Sequence, residues 1–318
     1  MTVVRQLSAA DFPEIYAQFL ADDDVHSGAD DWKRLFNYNW ERDEDHTGYA
    51  LLDGGRIVGM LGMIFSERWL SGAKARFCNL HTWLVNEGYR GKGLALLRPA
   101  LRLTEHTLTD FTPTDAVCEI SKRLGFRKMD ATLRILLPMP LRPSRFEDSV
   151  TFTDDSEQIQ CRLNDADCRI FRDHRSLNCG HVLAFDKNEA CYVIFSRIVR
   201  HWTPYCYIHY VSNLPMFSQI SGRLRHELQK RCDARFVAVD RRLVRDLRIP
   251  YCVNVPVRSR QLYRSTRAKP HEIDTLYSEV LLHRLTTFPS TRDTLNGLLR
   301  SCRPTTLVGR LQSVLKST

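Results

Sequence analysis

One short segment of the chain has residue types and a spacing that suit the binding of an anion. Residues 90–95 read Arg-Gly-Lys-Gly-Leu-Ala, and they stand between a predicted strand and a predicted helix. In a glycine loop at such a junction, successive backbone N–H groups converge on an anion, and the helix dipole adds to the attraction. Gly91 and Gly93 permit the close approach that a Cβ would block, while Arg90 and Lys92 add positive charge. The segment therefore predicts a phosphate-binding loop.

Two common nucleotide-binding motifs do not fit this loop. A dinucleotide-binding fingerprint needs a third glycine and an all-parallel sheet, whereas the sequence before residue 90 predicts hairpins and hence a mixed sheet. A mononucleotide-binding loop needs Gly-Lys followed by Ser or Thr, which the segment lacks. The phosphate of some other cofactor is the expected ligand.

The elements around the loop alternate between strand and helix. Gly54-Gly55 joins two runs of strand-forming residues and predicts a β-hairpin. Gly125 follows the last periodic residues of an amphipathic run and predicts a helix C-terminus. In chain order, the predicted elements of the first half are Val3–Leu7, Phe12–Leu20, Trp32–Trp40, Gly48–Asp53, Arg56–Phe65, Ala75–Val85, Leu94–Leu103, Thr107–Thr112, Thr114–Arg123 and Thr132–Leu137.

The second half repeats this order of strands and helices without a glycine loop. Its predicted elements are strands at Val182–Phe185, Ala190–Val199, Tyr205–Val211 and Arg235–Val239, and helices at Met216–Arg231 and Ile273–Arg284. Three prolines between residues 138 and 143 mark a linker. We therefore predict a first domain over residues 1–140, a linker over 141–150, a second domain over 151–289 and a basic C-terminal tail over 290–318.

Two motifs resemble those of the GNAT superfamily of acyltransferases. Residues 90–95 are similar to its Arg/Gln-x-x-Gly-x-Gly/Ala signature, which follows the family's fourth strand. Residues 121–126, Ser-Lys-Arg-Leu-Gly-Phe, resemble a helix end that usually reads Tyr-Glu-Lys-Leu-Gly-Phe, and Arg56–Phe65 resembles the family's second strand. The resemblance covers residues 1–140 and implies a GNAT fold, an α/β fold with a mixed sheet. The repeated order of elements predicts a second, degenerate GNAT-like domain.

The resemblance implies an acyl-coenzyme A dependent acyltransferase, with acetyl-coenzyme A or another acyl-coenzyme A as co-substrate. The expected reaction is acetyl transfer to an amine by direct attack on the thioester, without a covalent enzyme intermediate. The backbone of residues 90–95 would hold the pyrophosphate, and the preceding strand would line the pantetheine arm. The residues expected to bind the co-substrate are Trp83, Leu84, Val85, Arg90, Gly91, Lys92, Gly93, Leu94, Ala95 and Thr114.

The candidate catalytic residues are less typical of the family. Ser121 stands where the family's Tyr usually protonates the departing thiolate, and Ser is a poor acid. Thr114 stands where an Asn is usual. His81, on the strand before the loop, is the candidate base because imidazole titrates near neutral pH, although a packed core histidine has the same pattern. Glu119 is the alternative base, unless it is a solvated helix residue. A nucleophilic role for Cys118 competes with plain burial.

Several alternatives for the reaction stay open. The acceptor is a small-molecule amine or hydroxyl, and the donor is either acyl-coenzyme A or an acidic acyl carrier protein, which the Arg-rich second half would attract. A non-catalytic sensor that binds acyl-coenzyme A is a third reading. Four residues of the predicted strand Tyr205–Val211 would either reach the acceptor or pack in a core; they are Tyr205, Tyr207, His209 and Tyr210.

Composition excludes several classes of protein. With 43% hydrophobic and 26% charged residues over 318 positions, the chain is an ordinary folded protein rather than a disordered one. The net charge of +9 lies in the second half, because residues 1–145 carry 19 basic and 19 acidic residues, and residues 146–318 carry 27 and 18. The basic residues form no nucleic-acid motif, so nucleic acid is not an expected partner.

Cysteine spacing and hydropathy give three further expectations. None of the ten cysteines lies in a Cys-x-x-Cys pair, which argues against a structural metal and favours buried thiols in a reducing compartment. No run of about 18 apolar residues is present, and the N-terminus lacks the apolar stretch of a signal peptide. The sequence therefore predicts a cytoplasmic protein without a membrane span or a metal.

Overall fold

The computed structural model describes residues 1–21, 28–70, 72–138, 149–200, 202–286 and 288–289. Over these residues the chain forms two compact units that are each discontinuous in sequence. Unit 1 comprises the described residues of 1–130, 160–178 and 259–286, and unit 2 those of 131–159, 179–258 and 287–318. The predicted domain boundaries at residues 140, 151 and 289 stay predictions. Most of the predicted linker and the whole basic tail, residues 290–318, lie outside the described residues.

Unit 1 contains a mixed seven-stranded sheet in the order β1-β2-β3-β4-β5-β14-β6. Its strands are β1 Thr2–Leu7, β2 Gly48–Asp53, β3 Arg56–Leu70, β4 Ala73–Val85, β5 His106–Asp110, β6 Arg127–Met129 and β14 Gln261–Arg264. Strands β4 and β5 run parallel, whereas the other neighbouring pairs run antiparallel. A strand from the far end of the sequence thus lies between β5 and β6.

Unit 2 has the same strand order around a second sheet. From one edge to the other it reads β8-β9-β10-β11-β12-β7-β13, with β11 and β12 parallel. These strands are β7 Thr132–Leu136, β8 Thr151–Thr153, β9 Gly180–Phe185, β10 Ala190–Arg200, β11 Thr203–Val211, β12 Phe236–Asp240 and β13 Cys252–Pro256. In each sheet a strand from the other half of the sequence occupies the sixth position, so the predicted repeat is confirmed.

The helices are short and lie mainly between strands. In chain order they are α1 Phe12–Ile15, α2 Ala29–Phe36, α3 Leu94–Leu101, α4 Asp115–Arg123, α5 Ser156–Arg162, α6 Asp165–His174, α7 Leu214–Gln219, α8 Ser221–Cys232 and α9 Glu279–Leu282. Thr114 caps α4 by accepting a hydrogen bond from the backbone of Val117, and Asn213 caps α7 in the same way. Gly125, with φ of +89°, follows α4 as predicted.

The sheet of unit 1 is buried on both faces. Along β4, Ala75 and Phe77 pack in one apolar cluster, whereas Cys78 and Leu80 pack in another. Successive strand residues point to opposite faces, so a strand that alternates between two apolar clusters must be covered on both sides. This explains why β3 reads as a continuous apolar run from Ile57 to Phe65.

Several predicted elements differ from the structure; the predicted helix Trp32–Trp40, for example, is α2, which ends at Phe36. The predicted helix 216–231 divides at Ile220 into α7 and α8. The predicted strand at the end of the first half is β7, and it pairs with β12 and β13 in unit 2. The predicted helix 273–284 shrinks to α9, because Asp274 and Ser278 bind nearby backbone N–H groups and favour turns instead.

Over the described residues we looked for membrane-spanning helices, groups of metal-ligating side chains and disulfides. No helix among them is long and apolar enough to cross a membrane. No three His, Cys, Asp or Glu side chains among them are grouped to hold a metal ion. The cysteines that the structure describes are free thiols.

Candidate active site

The site begins where two parallel strands of unit 1 separate. Strand β4 pairs with β5 only over Arg76–Asn79, opposite His106–Thr109. Beyond Asn79, β4 continues to Val85 beside β3 alone. Because β5 ends at Asp110, a gap opens between the two strands on this side of the sheet. Side chains from both strand ends face the gap, which makes it the natural position for a ligand.

A β-bulge in β4 turns the strand at this gap. Met60 of β3 faces Leu84, but Gly62 faces His81, so β4 has one more residue than β3 over this stretch. The extra residue is accommodated by a left-handed backbone at Thr82, with φ of +49°. A bulge interrupts the ladder and leaves residues of the bulged strand without a partner. Backbone groups of Thr82 and Trp83 are therefore not committed to β3.

The gap contains a cavity of about 210 Å³. Its walls combine leucine side chains with a few polar groups. The lining residues are Trp32, Leu61, Leu80, His81, Thr82, Trp83, Leu84, Leu97, Asp110, Thr112, Pro113, Thr114, Val117, Ser121 and Leu285. A mostly apolar cavity with few convergent polar groups is the usual character of a ligand site.

A shallower groove of about 480 Å³ adjoins this cavity. Trp83, Leu84, Thr114 and Val117 line both spaces. The other residues of the groove are Val85, Arg90, Gly93, Leu94, Ala116 and Ile120. The two spaces therefore adjoin, and together, as what we call the path, they extend from Arg90, Gly93 and Leu94 of the predicted phosphate-binding segment to the cavity.

The predicted phosphate-binding segment is a helical turn rather than an open loop. Residues Glu87–Lys92 form a 3-10 helix that leads through Gly93 into α3. Gly93 has a helical φ of −57°, so neither a turn nor a positive φ requires glycine there. A Cβ on Gly93 would lie 3.2 Å from Val85 Cγ2, whereas a Cβ on Gly91 would have no neighbour within 4 Å. Gly91 thus leaves open space on the surface.

The basic side chains of this segment are exposed. The Arg90 side chain is 73% exposed and its Nη1 lies 3.8 Å from a carboxylate oxygen of Glu87. Lys92 Nζ lies 5.5 Å from the centre of the Tyr89 ring. The Trp83 indole N–H donates to the carbonyl of Gly93 at 3.3 Å, which ties β4 to the start of α3. The segment therefore offers positive charge to solvent beside a fixed backbone.

His81 lies in the wall of the cavity and is 4% exposed. Its Nδ1 is 2.9 Å from Thr82 Oγ1, and its Nε2 has no hydrogen-bond partner among the described residues. Burial, with a smaller contribution from nearby His283, lowers the pKa of His81 to about 3. The imidazole is therefore neutral at physiological pH, and it is a weaker proton acceptor than the sequence suggested.

Gly62 makes room for this imidazole. A Cβ built on Gly62 would overlap Cε1, Nε2 and Nδ1 of His81. We expect Gly62→Ala to lower the free energy of unfolding by about 1–3 kcal/mol, because a rigid strand cannot absorb the added methyl group. Urea denaturation measures this change. Gly88→Ala, whose Cβ would meet nothing within 4 Å, is the control, and equal stability of the two variants would contradict the account.

Two carboxyl groups near the cavity were not predicted from the sequence. Asp110 ends β5 and lines the cavity, and Glu279 begins α9 and is 1% exposed. Burial raises the pKa of Asp110 well above its ordinary value, and the nearby Glu279 raises it further. Burial also raises the pKa of Glu279 to about 7. The sequence shows Asp110 near the end of the predicted strand Thr107–Thr112. No pattern in the sequence predicts that residue 279 lies near it.

The titration of Glu279 predicts a pH-dependent stability. A folded pKa near 7 against an ordinary value of 4.5 means that the folded state holds the proton more tightly. The resulting stabilisation, about 3 kcal/mol at most, is complete below pH 4.5 and is lost as the pH rises through 7. We expect Glu279→Gln to remove this loss in urea denaturation between pH 4.5 and 8. If the free energy of unfolding changed with pH in the same way in Glu279→Gln and in the wild type, this expectation would be contradicted.

The remaining predicted site residues divide into two groups. Ser121 is buried and lines the cavity, and Thr114 lines both spaces while its Oγ1 caps α4. Glu119 lines neither space; its side chain is 60% exposed and binds Lys122 at 2.5 Å, which lowers its pKa. Cys118 is buried in the apolar core. The structure therefore places Ser121 and Thr114 at the cavity and Glu119 outside it, and the roles of all three stay predictions.

The aromatic strand of the second half is internal to unit 2. Tyr205 and Tyr207 lie in an apolar cluster of that unit. His209 is 2% exposed, and its Nε2 lies 3.0 Å from Ser196 Oγ. Their packing accounts for the alternating aromatic pattern, and a role at the acceptor stays a prediction.

One protein-family model matches the first part of unit 1. Residues 5–97, from β1 into α3, match the model of the Acetyltransferase (GNAT) family. No curated protein sequence matches the chain. The match ends just after the predicted phosphate-binding segment.

Solved structures resemble both halves of the chain. A GCN5-related N-acetyltransferase from Anabaena variabilis ATCC 29413 aligns with a TM-score of 0.55 at 11% identity, and one from Kribbella flavida with 0.54 at 14%. A conserved protein of Enterococcus faecalis V583, described as a probable N-acyltransferase, aligns with 0.56 at 10%. Each alignment covers 83% of this chain and 72% of the other. The predicted resemblance to the GNAT superfamily and the mixed α/β GNAT fold are thereby confirmed.

Proposed function

We propose that the chain is an acyl-coenzyme A dependent acyltransferase that transfers an acyl group to an amine. Acetyl is the first candidate for this group. The observation that carries the proposal is the pair of adjoining spaces in unit 1, which share four lining residues and extend from Arg90, Gly93 and Leu94 to the cavity beside the end of β5. One end of this path offers backbone and positive charge to a phosphate, and the other is the less open of the two spaces. A small-molecule acceptor and a cytoplasmic site of action belong to the same proposal.

The donor would lie along this path. The backbone of residues 90–95 would bind the pyrophosphate, with Arg90 and Lys92 contributing charge. Trp83, Leu84 and Val85 line the groove and would contact the pantetheine arm. The four residues shared by groove and cavity then lead the thioester inward.

The chemistry requires few protein groups. The amine nitrogen attacks the thioester carbonyl, the new C–N bond forms, and the C–S bond breaks. A backbone N–H at the bulge around Thr82 would stabilise the oxyanion. Ser121 would donate a hydrogen bond to the departing thiolate, which takes the final proton. We assign neutral His81 the role of accepting a hydrogen bond from the acceptor, since its low pKa makes it a weak base.

Release of free thiol tests the proposed function. The full chain is mixed with acetyl-coenzyme A and a panel of amines, and thiol is followed with a chromogenic disulfide. We expect thiol release above the rate without acceptor. Thiol release with alcohols alone would identify an O-acyltransferase. Binding of acyl-coenzyme A without turnover would identify a sensor. Activity only with an acyl carrier protein would show that this protein, and not acyl-coenzyme A, is the donor.

A further inference from the structure

Two cysteine side chains of unit 2 are in contact, although α7 and most of α8 separate them in sequence. Cys206 lies within β11 and is 0% exposed, and Cys232 is the last residue of α8 and is 4% exposed. Both belong to an apolar cluster that the sheet and α8 share. The Cys206 thiol donates a hydrogen bond to the Cys232 sulfur. The fold therefore holds two sulfur atoms side by side.

Arg197 fixes the end of α8 beside Cys206. Arg197 of β10 stands directly opposite Cys206 of β11 in the antiparallel register, so the two side chains lie on the same face of the sheet. Arg197 Nε donates to the backbone carbonyl of Cys232 at 2.8 Å. The helix ends there, and the next residue, Asp233, has a left-handed backbone with φ of +46°. Both cysteines thus lie on regular elements, and their proximity is a property of the folded unit.

The two thiols differ in acidity. Burial raises the pKa of Cys206 well above its ordinary value, and its hydrogen bond to Cys232 raises it further. The same hydrogen bond lowers the pKa of Cys232, and the charge of Arg197 contributes to this lowering, although burial opposes it. The thiolate is the nucleophilic form of cysteine. Cys232 is therefore the sulfur that attacks an electrophile first, and Cys206 is the sulfur that follows.

Two other cysteines of the chain provide references for this reactivity. The Cys168 thiol donates to the backbone carbonyls of Gln160 and Leu163 at 3.4 and 3.6 Å, and burial raises its pKa. Donation to a carbonyl favours the neutral thiol, which is a poor nucleophile. Cys161 is exposed, so a reagent in solution reaches it directly. A modification that selects Cys232 must therefore depend on its surroundings and not on exposure alone.

We propose that Cys206 and Cys232 are a modification site, at which a peroxide converts the two thiols into a reversible disulfide that joins β11 to α8. The proposal concerns unit 2 and does not depend on the proposed acyl transfer. In reducing compartments, disulfides are usually transient and redox-sensing. The free thiols of this structure are then the reduced form of the site.

The reaction balances with hydrogen peroxide as the oxidant. The Cys232 thiolate attacks one peroxide oxygen, the S–O bond forms and the O–O bond breaks, and the departing hydroxide takes up the thiol proton to give water. The Cys206 sulfur then attacks the Cys232 sulfur, the S–S bond forms and the S–O bond breaks, and the second hydroxide takes up the Cys206 proton. Two thiols lose two protons and two electrons, and one peroxide becomes two waters. A dithiol reductant restores the thiols by exchange.

Peptide mapping of the full chain tests the modification site. The reduced protein is freed of reductant, treated with hydrogen peroxide under native conditions, alkylated with iodoacetamide in urea and digested with trypsin. Cleavage after Arg200, Arg223, Arg231 and Arg235 leaves each cysteine alone in its peptide, one of residues 201–223 and one of residues 232–235. We expect peroxide to link these two peptides and dithiothreitol to separate them again.

Single substitutions test the order of the two steps. In Cys206→Ala, Cys232 should accumulate as the sulfenic acid, which dimedone traps, because the second sulfur is missing. In Cys232→Ala, Cys206 should stay a thiol at the same peroxide dose. Cys161→Ala, at an exposed position in α5, is the control and should form the same linked peptides as the wild type. Trapping of Cys206 instead of Cys232 would overturn the assignment of the attacking sulfur.

Thermal denaturation measures the consequence for the fold. A disulfide restricts the unfolded chain, so we expect the oxidised protein to melt at a higher temperature than the reduced one. Peroxide should cause no such rise in Cys206→Ala. The inference would be overturned if the wild type formed no linked peptides at a peroxide dose that oxidises Cys161, or if the linked peptides formed only after unfolding in urea.

Discussion

Gly91→Val is expected to abolish the binding of coenzyme A while leaving the protein folded. A Cβ at residue 91 meets nothing within 4 Å, so the added side chain occupies only the space that a ligand would use. A valine there blocks the approach of a phosphate to the backbone of the 3-10 helix Glu87–Lys92. We expect an affinity loss of at least about 100-fold, equivalent to about 2.7 kcal/mol, in calorimetric titration.

A matched substitution separates this effect from general damage to the turn. Gly88 lies in the same 3-10 helix and also has no neighbour within 4 Å of its added Cβ, so Gly88→Val should bind coenzyme A normally. Gly93→Val should lose binding too, but at some cost in stability because of the contact with Val85. Normal affinity in Gly91→Val would show that the donor lies elsewhere.

Val117→Trp is expected to separate donor binding from turnover. Val117 lines both the groove and the cavity, so an indole at this position would close the passage between them. The pyrophosphate contacts at residues 90–95 would be untouched. We expect thiol release to fall at least about 100-fold, since a misplaced thioester loses alignment with the amine, while coenzyme A affinity stays within about tenfold.

The control for this substitution is Val3→Trp. Val3 lies on β1 of the same unit, is 59% exposed and lines neither space. The variant should retain both coenzyme A affinity and thiol release. If Val117→Trp turned over as fast as Val3→Trp, the thioester would not pass between groove and cavity as proposed.

The parts of the fold that could be predicted from the sequence are those with strong local signals. The Gly54-Gly55 turn predicted the β2–β3 hairpin, and runs rich in strand-forming residues predicted β4 and β10 nearly to their ends. By contrast, β14 has four residues and gains its stability by pairing with β5 and β6, a partnership that no local pattern encodes. Strand exchange between halves of a chain is invisible to a local analysis.

The residues of the candidate site could be predicted where they lie on elements with a clear local pattern. Residues 81, 83–85 and 121 lie along one path because β4 and α4 are local elements with clear patterns. Glu279 joins the site across a separation of about 170 residues in sequence from Asp110, and a short turn-rich segment holds it there. The bulge at Thr82, beside the gap, also left no signal, because its left-handed residue is not a glycine.

The central claim is that unit 1 binds acyl-coenzyme A along the path from residues 90–95 to the cavity. Thermal denaturation of the full chain with coenzyme A, acetyl-coenzyme A and longer acyl esters tests it most directly, because a ligand specific for the folded state raises the melting temperature. We expect a concentration-dependent rise with coenzyme A, a larger rise with one acyl ester, and neither in Gly91→Val. An unchanged melting temperature with every one of these ligands would contradict the claim.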